Sequence, residues 1–131
     1  KHRMDELFGS VHETIALSAV YAANHLPGVK AIVGLTESGS TPRLMSRITT
    51  TLPIVAMSRH EETLNLMALY RGVKPVFFDS RDSAPGELRK DVVALLKEKN
   101  LVEDGDIVIL THGDRMETIG ATDAIKIIVV E

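Results

Sequence analysis

The residues of this chain best suited to chemistry form the turn Thr36-Glu37-Ser38-Gly39-Ser40-Thr41. The turn follows an apolar run, 31–35, that is typical of a short buried strand. Pro42 suits the first position of a helix, which Ser40 or Thr41 could cap. Main-chain N–H groups and hydroxyl donors would then converge at a helix start, an arrangement that holds phosphate. We predict a phosphate-binding site at 36–41, and an ordinary capped turn without a ligand is the alternative.

A second group of polar and glycine residues follows a later apolar run, and comprises His112, Gly113, Asp114, Arg115 and Gly120. Ligands of open α/β sheets bind beyond the carboxyl ends of the strands, where the strand order reverses. If the first strand is central and the fourth lies beside it, this group meets the turn 36–41. Arg115 and His112 could contact an anion, and the backbones of Gly113 and Gly120 could approach one closely. A flexible hairpin with solvated charges explains the same residues equally well.

No set of residues resembles a catalytic or metal centre. The sequence contains neither a Walker lysine after Gly39 nor a nucleophile elbow, and no His, Asp or Glu cluster has convincing metal-ligand spacing. Arg59 and His60 are typical of an exposed helix start, and Asp79 is typical of a turn cap. We therefore predict no catalytic residues and no metal ligands, and expect binding without turnover.

Composition limits the partners that this chain can have. The 131 residues, 44% of them hydrophobic, suit one domain over 1–131 with an irregular lead-in at 1–9. A net charge of −3 argues against nucleic acid and anionic membranes, and no apolar run is long enough to span a bilayer. The absence of cysteine fits a cytoplasmic location. Because the chain starts at Lys1, we expect a piece of a longer polypeptide.

Apolar patterning predicts strands that alternate with helices, and hence parallel strand pairs joined by right-handed crossovers. Capping boxes predict helix starts at Ser10-Val11-His12-Glu13 and Ser58-Arg59-His60-Glu61. The predicted strands are 31–35, 53–57, 76–78, 107–110 and 125–130. The last connection, 112–124, shows little helical periodicity and makes an easy hairpin. The final strand is therefore predicted to be antiparallel and to lie at an edge of the sheet.

Several short segments, taken in order and spacing, resemble the C-terminal domain of bacterial pyruvate kinase over nearly the whole chain. They include Thr36-Glu37-Ser38-Gly39, Pro53-Ile54-Val55-Ala56-Met57-Ser58-Arg59, Leu69-Tyr70-Arg71-Gly72-Val73-Lys74-Pro75 and Thr111-His112-Gly113-Asp114. The resemblance implies a three-layer α/β/α sandwich around a five-stranded mixed sheet. The strands, numbered in chain order, would lie in the sheet in the order 3-2-1-4-5. It also implies a tetrameric enzyme that transfers the phosphoryl group of phosphoenolpyruvate to ADP.

In that family the catalytic residues, with their Mg²⁺ and K⁺ sites, lie in a barrel domain outside this sequence. The resemblance therefore implies that this part alone is inactive and has a regulatory role. An effector would place its phosphate in the turn 36–41, under a loop at 113–122. Glu37 and the lack of tryptophan depart from the bisphosphate-responsive pattern. This departure favours glucose 6-phosphate, ribose 5-phosphate or AMP over fructose 1,6-bisphosphate.

Three hypotheses follow for the role of the chain. The first is a regulatory, effector-binding and oligomer-forming domain, which would self-associate through the apolar edge strand 125–130. The second is a free-standing phosphometabolite-binding or small catalytic protein of the same fold. The third is a structural assembly domain without an effector. For the edge strand, the alternative is that neighbouring loops cover it and the chain is monomeric.

Overall fold

The structure is a computed structural model that describes residues 9–113 and 122–131. Its elements, in chain order, are α1 (Val11–His25), β1 (Val29–Leu35), α2 (Ser40–Met45), β2 (Ile54–Ser58), α3 (Glu61–Met67), β3 (Val73–Phe77), a 3₁₀ turn (Ser80–Asp82), α4 (Leu88–Glu98), β4 (Ile107–His112) and β5 (Ala124–Val129). The predicted lead-in at 1–9 falls mostly outside the described residues.

The five strands form one mixed sheet in the order β3-β2-β1-β4-β5. β1 is central and pairs in parallel with both β2 and β4, while β3 pairs in parallel with β2. β5 runs antiparallel to β4, with Val108 opposite Ile128 and His112 opposite Ala124. The predicted strand order and the predicted antiparallel edge strand are both confirmed. The carboxyl ends of β1, β2 and β3 consequently lie along one edge of the sheet.

Helices cover both faces of the sheet, so the predicted three-layer arrangement is confirmed. Val33 belongs to the core cluster that includes Val92 and Leu96 of α4. The neighbouring residue Ile32 belongs to the other cluster, which includes residues of α1 and α2. Adjacent residues of β1 therefore enter opposite cores, as the alternation of a strand requires. Because both faces are covered, β1 is apolar almost without interruption.

α1 begins at the predicted capping box, although one of the bonds differs from the expected one. The Ser10 hydroxyl accepts a hydrogen bond from the Glu13 N–H at 3.2 Å. The Glu13 carboxylate accepts from the N–H of Gly9 instead of the N–H of Ser10.

Among the helices of the described residues, none has the length and apolar character needed to span a bilayer.

The predicted caps of α2 and α3 are wrong. α2 has Gly39 as its N-cap, without a side-chain cap, and Pro42 is its third residue. α3 has His60 as its N-cap, also without a side-chain cap. The Ser58 hydroxyl instead accepts from the His60 N–H at 3.2 Å, which closes the turn before the helix. In both cases the hydroxyl groups shape the connection between strand and helix and leave the first helical turn uncapped.

Candidate functional site

The candidate site lies at the carboxyl ends of β1 and β2. The Thr36 N–H donates to the Met57 carbonyl at 2.9 Å, so pairing between the strands continues one residue beyond β1. Thr36 is 5% exposed and Ser58 is 2% exposed. The connections that leave these two strands therefore start from fixed, buried positions at the same edge of the sheet.

The turn 36–41 is shaped by its own hydroxyl groups. The Thr36 hydroxyl oxygen accepts from the Gly39 N–H at 2.8 Å, and the Ser38 hydroxyl oxygen accepts from the Ser40 N–H at 3.3 Å. Gly39 has a φ of +85°, and a Cβ atom there would lie 3.0 Å from Met67 Cγ of α3. Both the backbone conformation and the available space therefore require glycine at this position.

Main-chain donors remain in the turn after these bonds are made. Within the described residues, the N–H groups of Glu37, Ser38 and Thr41 donate to no hydrogen bond. The side chains of Ser38 and Ser40 are half-buried, whereas Thr41 is 1% exposed. Unused N–H groups beside hydroxyl donors can hold an oxyanion. The structure thus places the six predicted residues in one turn, in which Thr41 is buried.

The Glu37 carboxylate points to the connection after β2. Its Oε1 atom accepts from Arg59 Nη2 at 3.1 Å and lies 2.8 Å from His60 Nε2, which donates when it carries a proton. The Glu37 side chain is 9% exposed, against 21% for Arg59 and 33% for His60. The Thr63 hydroxyl also donates to the Glu37 carbonyl at 2.8 Å. We call Glu37, Arg59 and His60 the charge cluster.

A groove of about 420 Å³ opens beside the charge cluster. Its other lining residues are Ser38 of the turn and three side chains of α3, namely Glu62, Thr63 and Leu66. Arg59 and His60 lie at the start of α3 as predicted, but they are half-buried and both contact Glu37 of the turn. The signal that would have indicated this contact is positional. Glu37 and Arg59 each follow closely after one of two neighbouring parallel strands.

A further pair of opposite charges, Asp79 and Arg81, lies just after the end of β3. Arg81 donates to both carboxylate oxygens of Asp79, at 3.0 and 2.8 Å. The hydrogen bond from the Arg81 side chain is the main reason why the pKa of Asp79 falls from 3.8 to about 2. The nearby charge of Arg59 lowers the same pKa further. Asp79 also accepts from the Arg81 N–H at 3.0 Å, which confirms its predicted role as a turn cap.

β4 extends two residues beyond the predicted strand 107–110, so His112 belongs to the strand and not to the loop that follows it. His112 is the last residue of β4 and is half-buried, and Gly113 is buried. The neighbouring Thr111 is fully buried and pairs with Gly34 of β1. Asp114, Arg115 and Gly120 lie outside the described residues. Contact between this loop and the turn 36–41 therefore stays a prediction.

In the ranges that the structure describes, no group of three or more His, Cys, Asp or Glu side chains could hold a metal ion. The charge cluster has an imidazole and a carboxylate, but among the described residues no nucleophile is bonded to either one. The geometry accordingly supports recognition of an anion by the turn.

Comparisons with known proteins agree on one family. A family model described as "Pyruvate kinase, alpha/beta domain" matches residues 13–128. Pyruvate kinase II of Salmonella typhimurium is 55% identical over 132 residues, which cover 100% of this chain and 27% of that protein. A pyruvate kinase of Buchnera aphidicola is 48% identical over 98% of this chain and 26% of that protein.

Solved structures give the same result. A crystal structure of a pyruvate kinase from Cryptosporidium parvum matches with a TM-score of 0.80 and 31% identity, over 96% of this chain and 24% of that one. A structure of Cryptosporidium parvum pyruvate kinase in complex with ADP also has a TM-score of 0.80. The chain spans about a quarter of the length of the proteins it matches.

Proposed function

This chain belongs to the pyruvate kinase family, as its C-terminal alpha/beta domain, and from that premise we propose that it regulates and assembles a longer pyruvate kinase. That enzyme would transfer a phosphoryl group from phosphoenolpyruvate to ADP, a reaction of glycolysis in the cytoplasm. Its catalytic residues and its Mg²⁺ and K⁺ sites would belong to other parts of the longer protein. The role of this domain would be to bind an effector and to contact other subunits.

The observation that carries the regulatory proposal is the geometry of the turn 36–41. A buried threonine and a left-handed glycine hold it in shape, and three main-chain N–H groups are left without an acceptor in the described residues. Unpaired N–H groups at a turn before a helix provide partial positive charge without a basic side chain. A phosphate group satisfies several such donors at once. We therefore assign the effector phosphate to this turn.

The surroundings of the turn favour an effector with one phosphate group. The neighbouring groove contains the carboxylates of Glu37 and Glu62, and Arg59 and His60 already contact Glu37. A second phosphate in this groove would meet negative charge without a free positive partner. Hydroxyl groups of a sugar, by contrast, can donate to carboxylates. Glucose 6-phosphate, ribose 5-phosphate and AMP have this chemistry.

Calorimetric titration of the chain with these three compounds tests the proposal. Glucose, ribose and adenosine are the matched ligands, since each lacks only the phosphate group. We expect at least one phosphate-bearing compound to bind and its partner without phosphate to bind at least tenfold more weakly. If all three phosphate compounds fail to bind, or bind no better than their partners, the effector role is wrong.

The assembly proposal rests on β5. It pairs with β4 on one side and is the last strand of the sheet. Ile127 and Val129 are 56% and 57% exposed, whereas Ile128 and Val130 are buried in the core that includes α4. An apolar edge strand with unpaired main-chain groups is a template for another strand. We propose that two copies pair through β5 across a two-fold axis.

A further inference from the structure

In the charge cluster, Arg59 and His60 hold an anion that belongs to the protein itself. Arg59 Nη2 and His60 Nε2 converge on a single oxygen, Glu37 Oε1, at 3.1 and 2.8 Å. Because the Glu37 side chain is only 9% exposed, the carboxylate lies inside the cluster rather than on its surface. We propose that Arg59 and His60 form a latent anion-binding subsite and that Glu37 is the internal anion that keeps it occupied.

The donor capacity of the pair exceeds what Glu37 uses. A guanidinium carries five N–H donors in a fixed plane, and a carboxylate or phosphate commonly takes two of them together. Glu37 takes one bond from Arg59, through Nη2, and shares the accepting oxygen with His60. The Arg59 Nε atom is buried and has no hydrogen-bond partner among the described residues. Arg59 therefore holds a donor in reserve for a better-fitting oxyanion.

Space for such an oxyanion exists next to the pair. The groove of about 420 Å³ is lined by all three members of the charge cluster and by Ser38 of the turn 36–41. Its volume lies within the usual range for small-molecule sites. The subsite and the turn thus open onto one cavity. An oxyanion with tetrahedral or planar oxygens, such as phosphate or carboxylate, is the chemical class that the pair would take.

The other charged groups nearby do not replace Glu37. Glu62 lines the groove but makes no ion pair with Arg59 or His60 among the described residues. Asp79 feels the charge of Arg59, but its carboxylate oxygens are bonded by Arg81. Removal of the Glu37 charge would therefore leave Arg59 without a bonded anion. Glu37 would thus restrict the ligands of the cavity to compounds with one anionic group. This inference about ligands rests on the proposed function of the turn.

Titration of the 131-residue chain with inorganic phosphate tests the subsite. In Glu37→Gln, which keeps the side-chain shape, we expect one more phosphate to bind per chain than in the wild type. Its dissociation constant should be at least tenfold lower than that of any second phosphate on the wild type. Glu62→Gln is the matched control, because it makes the same change of charge in the same groove, and it should bind as the wild type does. The double variant E37Q/R59Q should lose the added phosphate.

Equal phosphate stoichiometry and affinity in E37Q and the wild type would overturn the inference. Phosphate binding to the wild type tests the turn separately. If the wild type binds no phosphate while E37Q binds one that R59Q removes, the turn proposal fails and the subsite stands. Thermal unfolding gives a second readout, because E37Q leaves a partly buried cation unpaired. Phosphate should raise the melting temperature of E37Q more than that of the wild type, and an equal or smaller rise would also count against the subsite.

Discussion

At the scale of single residues, removal of the hydroxyl groups of Ser38 and Thr41 tests whether the turn binds an anion. We expect Ser38→Ala combined with Thr41→Val to weaken binding of a phosphate-bearing ligand at least tenfold. The reason is that each hydrogen bond to a charged group contributes about 1.5–3 kcal/mol. Valine keeps the volume of a side chain that is 1% exposed. Isothermal titration gives the dissociation constants.

Ser46→Ala is the control for this pair. Ser46 lies at the other end of α2, where its hydroxyl donates to the Arg43 carbonyl at 2.7 Å. Its loss removes a hydroxyl from the same helix without touching the turn. If the double variant binds as tightly as S46A, the anion must bind elsewhere.

The depressed pKa of Asp79 predicts a measurable effect of Arg81. Since the folded-state pKa of about 2 lies below the ordinary value of 3.8, the carboxylate stabilises the fold above pH 4. That contribution is lost as the pH falls from about 4 towards 2. In Arg81→Gln, we expect the Asp79 pKa to rise towards 3.8, because the largest cause of the shift is removed. An NMR titration of the carboxyl carbon measures both values, and an unchanged pKa in R81Q would contradict the assignment.

Residue-scale prediction from the sequence worked where the partners are close along the chain. The cap at Asp79 and the box at Ser10 join residues two to four positions apart. The bond between Glu37 and Arg59 joins residues 22 positions apart. Such a contact depends on which strands are neighbours and on their register, with Leu35 opposite Met57. No local pattern carries that information.

At the scale of elements, the start of α2 depends on Gly39. We expect Gly39→Ala to destabilise the chain by about 1–3 kcal/mol, because it forces a left-handed residue with a Cβ atom against α3. Gly72→Ala is a matched control, since Gly72 has a φ of +75° and nothing within 4 Å of its added Cβ. Urea unfolding compares the two variants. If G39A is no less stable than G72A, contact between the turn and α3 does not restrict position 39.

Strand boundaries were predicted to within two residues for β1, β2, β4 and β5, and least well for β3. β3 was predicted at 76–78 but spans Val73–Phe77, because Lys74 and Pro75 break the apolar run. An edge strand tolerates both residues, since it is half exposed and one side of its backbone is unpaired. In α1, the apolar Val11 is 63% exposed, whereas Ala16 and Val20 are buried. Tertiary packing decided which face of this alanine-rich helix turned inward.

At the scale of the whole molecule, the exposed apolar residues of the edge strand β5 predict that two copies of the chain associate. We expect the wild type to form a dimer, and Ile127→Lys to weaken it at least tenfold, because a charge would enter an apolar interface. Val11→Lys is the control, since Val11 is also exposed, at 63%, and lies on α1 rather than on the edge strand. Sedimentation equilibrium measures the dimer constant. A monomeric wild type at millimolar concentration would end this proposal.

The topology was the part of the molecule most fully predicted from the sequence. A connection at 112–124 that shows little helical periodicity implies a hairpin, and β5 is antiparallel to β4 as expected. The alternation of strands and helices implied the parallel pairs. The candidate site was predicted only in part. Its turn could be recognised from residue types, but its charge cluster arises from the sheet, where β1 and β2 end side by side.

The two edges of the sheet differ in a way that limits how far assembly can proceed. At one edge, β3 carries the exposed Lys74 and Pro75, which has no main-chain N–H to offer to an incoming strand. At the other edge, β5 is apolar except for the exposed Lys126, and it contains no proline. A chain with only one edge able to accept a strand can join a single partner, and the pair then has no open apolar end. If two copies pair through β5 as proposed, addition of strands stops there, and edge pairing would close on itself instead of extending into a fibre.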